Sequence, residues 1–169
     1  AFGTLRAQFI EPHLGGGGPV PIPTDAAAVR SEKIGYVQHL DMEALERLAG
    51  AVEGRIHVVC RPGAFVDRHT PLAWTTPPLD EDRRERLLGA FLIGPSRSFK
   101  QDPRFGLIVL SEVASRALSP GVNDPGTAID VMARAVRILS GAFEASRSRK
   151  PPRFLRIHAP AISIGDLLE

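Results

Sequence analysis

Apolar residues recur along this chain at two spacings, and the switches between them divide it into strands and helices. From Lys33 to Leu40 the spacing is two, with Ile34, Tyr36 and Gln38 on one face, so a strand is predicted. Asp41 follows as an N-cap, and Leu45, Leu48 and Ala49 share one face of a helix running from Met42 to Ala49. Gly54 ends that unit. Ile56, Val58 and Val59 then put β-branched side chains into a second strand, Arg55 to Cys60. Pro62-Gly63 reads as a turn, because Pro presets φ at one central position and Gly supplies a positive φ at the next. Short strands flank the polar turn Asp67-Arg68-His69. Asp80 opens a charged helix to Leu88, and Phe91 to Gly94 is a further strand.

The second half changes to helical spacing. Asp102 caps a helix from Pro103 to Leu118, with proline in the first turn, where a missing N–H costs nothing. That helix is apolar on almost every side, which predicts a central position. Ser119-Pro120-Gly121-Val122 breaks it, and Asn123 or Asp124 caps the next helix, which runs to about Phe143. Its apolar face is Ala128, Ile129, Met132, Ala135, Val136 and Leu139; its polar stripe, Asp130, Arg134 and Arg137, is spaced for ion pairing. Phe154 to Ala159 is a last strand. Residues 1–29 read as a lead-in: Gly15 to Gly18, followed by Pro19, Pro21 and Pro23, has the composition of a flexible linker. A phosphate-cradling loop is excluded there because no Lys-Ser or Lys-Thr follows. The expected fold is α+β, a single domain over residues 30–169. A small β-rich lobe of barrel-sandwich type (about 30–94), holding one short helix, packs on a hairpin of two apolar helices (about 101–145).

Composition fits one ordinary globular domain: 169 residues, 43% hydrophobic and 24% charged. Lys and Arg number 21 against 19 Asp and Glu. So slight an excess provides no basic face and argues against a nucleic-acid partner. The one dense run, Arg147-Ser148-Arg149-Lys150 with Arg153 and Arg156 nearby, reads as a solvated stretch, and alternatively as a contact with anionic lipid. The single cysteine, Cys60, permits no disulfide within the chain and no cysteine-based metal site, and reads as a small buried hydrophobe. No stretch reaches the roughly 18 consecutive apolar residues of a membrane span. The first residue is Ala1 and not Met, so the chain reads as a fragment or as a processed form.

The strongest candidate for function is the segment between the two apolar helices. Stopping one helix and starting the next accounts for every residue from Ser119 to Pro125. The sharper reading sets Asn123 and Asp124, at a helix N-terminus, beside Arg97, Lys100 and Arg104 as a site for a small polar or anionic ligand. Asp124 opposes an anion unless an arginine neutralises it. Glu112 and Arg116, four apart, are expected to form an ion pair. None of the five histidines (13, 39, 57, 69 and 158) falls in a metal-binding spacing; His39 and His57, on neighbouring strands with Asp41, are the nearest approach to one. No catalytic set, metal site or cofactor is indicated, and an enzyme would have to use Asp102, Glu112 or Asp124.

Four blocks carry a family likeness. They are Gly35-Tyr36-Val37-Gln38-His39-Leu40-Asp41; Arg61-Pro62-Gly63-Ala64-Phe65-Val66 with Thr70-Pro71-Leu72; Gln101-Asp102-Pro103-Arg104-Phe105-Gly106-Leu107; and Arg116 to Ala128 around Ser119-Pro120-Gly121-Val122-Asn123-Asp124-Pro125. In this order over residues 34–130 the chain resembles the extramembranous part of a bacterial family of predicted integral membrane proteins, domain of unknown function 2254. One departure is Asp67-Arg68-His69, where the family more often has glycine. The resemblance implies a parent with transmembrane helices in a bacterial inner membrane, this domain on the cytoplasmic side, and no known activity, substrate or cofactor. The expected role is that of a non-enzymatic soluble domain serving assembly, regulation or sensing. Its expected partners are the parent's transmembrane helices and, in a homo-oligomer, further copies of itself.

Overall fold

The period-two segments build two sheets, not one barrel. The computed structural model describes residues 2–162. The first part contains α1 (Phe2–Ile10), β1 (Gly16–Gly17), β2 (Ala27–Arg30), β3 (Gly35–Leu40), α2 (Met42–Ala51), β4 (Arg55–Val58), β5 (Phe65–Val66) and β6 (Pro71–Thr76). The rest contains α3 (Glu81–Gly89), β7 (Phe91–Gly94), α4 (Pro103–Ala117), α5 (Pro125–Ser146) and β8 (Phe154–His158). One sheet has the order β1-β8-β4-β6-β2, the other β5-β3-β7. β8 lies between β1 and β4 and runs parallel to both; the remaining pairings are antiparallel. The fold is thus mixed α+β, and the closed barrel-sandwich expected for residues 30–94 is replaced by two open sheets. The missing element is β8, which comes from beyond the helices and separates β1 from β4.

Four helices start on an aspartate that accepts the amide three residues on: Asp41 from Ala44 at 2.9 Å, Asp80 from Arg83 at 2.9 Å, Asp102 from Phe105 at 3.3 Å and Asp124 from Thr127 at 3.1 Å. Each satisfies an amide that the first turn leaves without a helical partner. The main core joins the inner face of the five-stranded sheet (Ile56, Leu72, Ile157) to α2 (Leu45, Leu48) and to Val37, Leu40, Val66 and Phe91 of the smaller sheet. On β3 it is Val37 and Leu40 that turn inward, whereas Ile34 is 64% exposed. Cys60 is buried; its thiol donates to the Pro71 carbonyl at 3.3 Å, and burial pushes its pKa up to about 11. It therefore behaves as the inert hydrophobe its position suggested.

The lead-in is part of the fold. Leu5 and Phe9 of α1 form a second core with Ala142 and Ala145 of α5, with Leu107 of α4 packed against it. The glycine run supplies a strand: Gly16 lies so close to β8 that a Cβ there would sit 2.7 Å from the Ile157 carbonyl oxygen. Residues 18–26, with their three prolines, then cross from the β1 edge of the sheet to the β2 edge.

Helix α4 is not central. Only Pro103, Gly106 and Ala117 are buried along it, and Ile108 and Val113 face outward. The α4–α5 pair packs on α1 instead of lying sandwiched in the core, so a three-helix layer replaces the expected two-helix hairpin. Along the 22-residue α5 the predicted polar stripe holds, with Arg134 Nε donating to Asp130 at 2.9 Å.

Candidate functional site

Three of the four blocks meet at the start of α4. The Gly63 amide donates to the Val37 carbonyl at 2.7 Å, and the Val37 amide to the Ala64 carbonyl at 2.9 Å, so the Pro-Gly turn is bound to β3. The Gln101 side chain extends the same edge: its Oε1 accepts from the Leu40 amide at 2.8 Å and its Nε2 donates to the Leu40 carbonyl at 3.4 Å. Between turn and helix lies the Asp102 carboxylate, with no exposed side-chain surface. Arg97 Nε donates to Asp102 Oδ2 at 2.6 Å, Arg97 Nη2 lies at the same distance, and Arg104 Nε stands 3.9 Å from Oδ1. The Arg97 guanidinium also lies over the Phe105 ring, which stacks on Phe99. Gly63, at φ +93°, faces the carboxylate so closely that a Cβ would come within 2.4 Å of Oδ2.

Arg61 extends this joint toward α1. It is buried, and it donates to Gln8 Oε1 and to the backbone carbonyls of Pro12 and Pro160. Gln8 in turn donates to the Gln101 carbonyl at 3.4 Å. No local pattern joins Gln8 to Arg61, because 53 residues separate them. A charged residue opening a Pro-Gly turn after a buried strand was the available signal. Beside the joint lies a cleft of about 410 Å³ lined by Gln8, Glu11, Asp41, Lys100, Gln101 and Arg153. Its charges are of both signs, and Arg153 and Glu11 pair at 3.1 Å.

The four residues put forward as a ligand site divide into two places. Arg97 and Arg104 converge on Asp102 at the beginning of α4. Asn123 and Asp124 lie past its other end, and 15 helical residues span about 22 Å. Asn123 sits at φ +47° in the reversal, and its amide donates to the Ser119 carbonyl at 2.8 Å. Asp124 accepts the Thr127 amide and, at 2.6 Å, the Thr127 hydroxyl. A groove of about 390 Å³ beside it is lined by Val109, Glu112, Arg116 and Val122, among others. Glu112 and Arg116 are exposed there and form no ion pair with each other.

The Thr127 hydroxyl, with the Thr127 amide, holds the Asp124 carboxyl below the usual carboxylate range. A depressed folded-state pKa means that this cap is fully formed above the unfolded carboxylate's pKa of about 3.9, and is lost as pH falls through the lower folded value. The Thr127 amide resonance is therefore expected to shift on acid titration in the native chain. In Asp124→Asn it should stay in place; an equal shift in both would show that the carboxylate is not its partner.

The polar turn that departs from the family pattern closes without glycine. Asp67 Oδ1 accepts from the Thr70 hydroxyl at 2.6 Å and from the His69 amide at 3.0 Å. His39 and His57 do not meet, because they stand in different sheets; His57 stacks on His158 instead, with centroids 5.2 Å apart. Among the described residues, no three His, Cys, Asp or Glu side chains gather as a metal ion would require. In the basic stretch Arg153 pairs with Glu11 and Arg156 with Glu46, while Arg147, Arg149 and Lys150 are exposed.

A mixed α+β domain, joined through a buried carboxylate to an outward-facing helical layer, is the class these elements define. The chain belongs to the family described as predicted membrane protein DUF2254, whose sequence profile matches residues 14–169. It is 36% identical over 120 residues to an uncharacterised protein of Mycobacterium bovis and, equally, to one of Mycobacterium tuberculosis. Each match covers 68% of this chain and 23% of the relative, so the chain spans about a quarter of the length of those proteins. No solved structure is significantly similar to it. Among the described residues no helix is long and apolar enough to cross a membrane.

Proposed function

We propose that this chain is a non-enzymatic assembly domain of a predicted membrane protein, held outside the bilayer on the cytoplasmic side, and that it pairs with a second copy of itself through α5. The supporting observation is a stripe on that helix. Ile129, Met132, Val136, Leu139 and Phe143 follow one another at steps of three, four, three and four, the a/d spacing of a helix seam. Four of them face solvent, at 62%, 56%, 61% and 61% exposure for Ile129, Met132, Val136 and Phe143. Together they offer on the order of 500 Å² of apolar surface, near the upper end for a monomer.

The stripe is symmetric about Val136. An antiparallel copy sets Ile129 against Phe143 and Met132 against Leu139, the reciprocal pairing of a two-fold interface. On the open side the flanking positions are Ala133 and Ser140, small, uncharged and exposed, so the helices can approach closely without like-charge repulsion. Doubled, the stripe buries on the order of 1,000 Å², and Ile108 on the adjacent α4 adds to it, which reaches the lower bound for a specific interface.

Sedimentation equilibrium of the 169-residue chain at tens of micromolar is expected to give a dimer, and Val136→Arg a monomer with an unchanged far-ultraviolet circular dichroism spectrum and a lower melting temperature. A native chain that stays monomeric up to millimolar concentration, or a Val136→Arg variant that still dimerises, overturns the reading.

A further inference from the structure

The outer face of the five-stranded sheet carries a second constellation. The β4 register places Arg55 opposite Thr76 and opposite the Arg156 position, and His57 opposite Trp74 and His158, so all of these share the face that points away from the core. Residues 18–26 cross this face. The strap is pinned where His158 Nδ1 meets the Gly18 carbonyl at 2.9 Å. Further along, Pro21 and Pro23 form one wall of a pocket of about 610 Å³ whose other walls include Arg55, His57, Thr76 and Arg156.

His57 is 5% exposed, yet among the described residues neither of its ring nitrogens has a hydrogen-bond partner, and neither has the buried Thr76 Oγ1. The cause lies in the wall opposite. Proline has no N–H, so the alternation at Pro19, Pro21 and Pro23 removes every second backbone donor from the strap. A buried polar group without a partner is costly, and here several such atoms line one pocket. The surrounding charges favour one sign: Arg55 and Arg156 against the single carboxylate of Glu53. Arg156 is shared with Glu46 at 3.9 Å, while the remaining walls, among them Val20 and Pro77, are apolar.

We infer that the space beneath the proline strap is a binding site for a small organic carboxylate with an apolar body. The carboxylate accepts from the His57 ring N–H and from the Thr76 hydroxyl, and pairs with Arg55 at the mouth. The body lies against the prolines. Burial first, then His158 and Arg55, lower the His57 pKa, so the ring enters the site neutral, with one N–H to donate. The volume falls within the range usual for sites that take metabolite-sized ligands. This site is separate from the α5 seam and does not depend on it.

Benzoate serves as the probe, with benzylamine and benzamide as cationic and neutral controls of the same size. Titrating benzoate into the 169-residue chain is expected to shift the ring resonances of His57 and His158 saturably, with little response to either control. Arg55→Gln alters an exposed side chain and leaves the fold intact; it should weaken benzoate about tenfold, as should His57→Phe where it folds. Non-saturating shifts, equal binding of benzylamine, or unchanged benzoate affinity in Arg55→Gln would overturn the assignment.

Discussion

Arg97→Met is expected to lower stability by about 3–5 kcal/mol, the usual result of removing one partner from a buried ion pair. The Asp102 side chain has no exposed surface, and the Arg97 guanidinium donates to it at 2.6 Å. Taking the arginine away leaves a carboxylate in a dry joint, with the Phe105 amide and the more distant Arg104 as its remaining polar neighbours. Methionine fills most of the lost volume, so the loss reports charge more than cavity. The denaturant midpoint measures it. Combining Arg97→Met with Asp102→Asn should restore most of the stability, because asparagine keeps the cap and removes the charge. A single-variant loss below about 1 kcal/mol would mean that Asp102 is solvated in the native state.

Gly63→Ala is expected to be nearly as damaging, at about 2–5 kcal/mol, from two sources. The backbone at φ +93° is unfavourable for any residue with a Cβ, and the new methyl carbon would lie 2.4 Å from the Asp102 carboxylate. The sources separate in a double-mutant cycle. In an Asp102→Ala background the clash is relieved and the backbone strain remains, so Gly63→Ala should then cost distinctly less. Equal losses in both backgrounds would show that the contact contributes nothing.

Most elements were legible in the sequence because their signals are local. Asp41, Asp80, Asp102 and Asp124 each mark a helix start, and the period-two runs mark β3 and β4. Partnership between distant segments was not legible. Nothing in Gly15 to Gly18 shows that two of its glycines pair with a strand some 140 residues later, and the composition correctly signals absent side chains while leaving the reason open. The apolar surround of α4 suggested a core helix, but burial depends on what packs against it, and α1 covers only part. The proposed grouping of Arg97 and Arg104 with Asn123 and Asp124 could have been tested by helix length alone, since both pairs flank one continuous helix. The three-way meeting of Val37, Gly63 and Asp102 was visible only as three separate motif blocks.

Inserting β8 between β1 and β4 makes the larger sheet a clasp closed by two strands that lie far apart in sequence. Gly16 and Phe154 pair across nearly the whole sequence, a long loop closure that a folding polypeptide meets late. Until residues 154–158 arrive, β4 presents an open edge, and Ile56 lacks the cover of Ile157. In a nascent chain β4 therefore stays adhesive until β8 has left the ribosome.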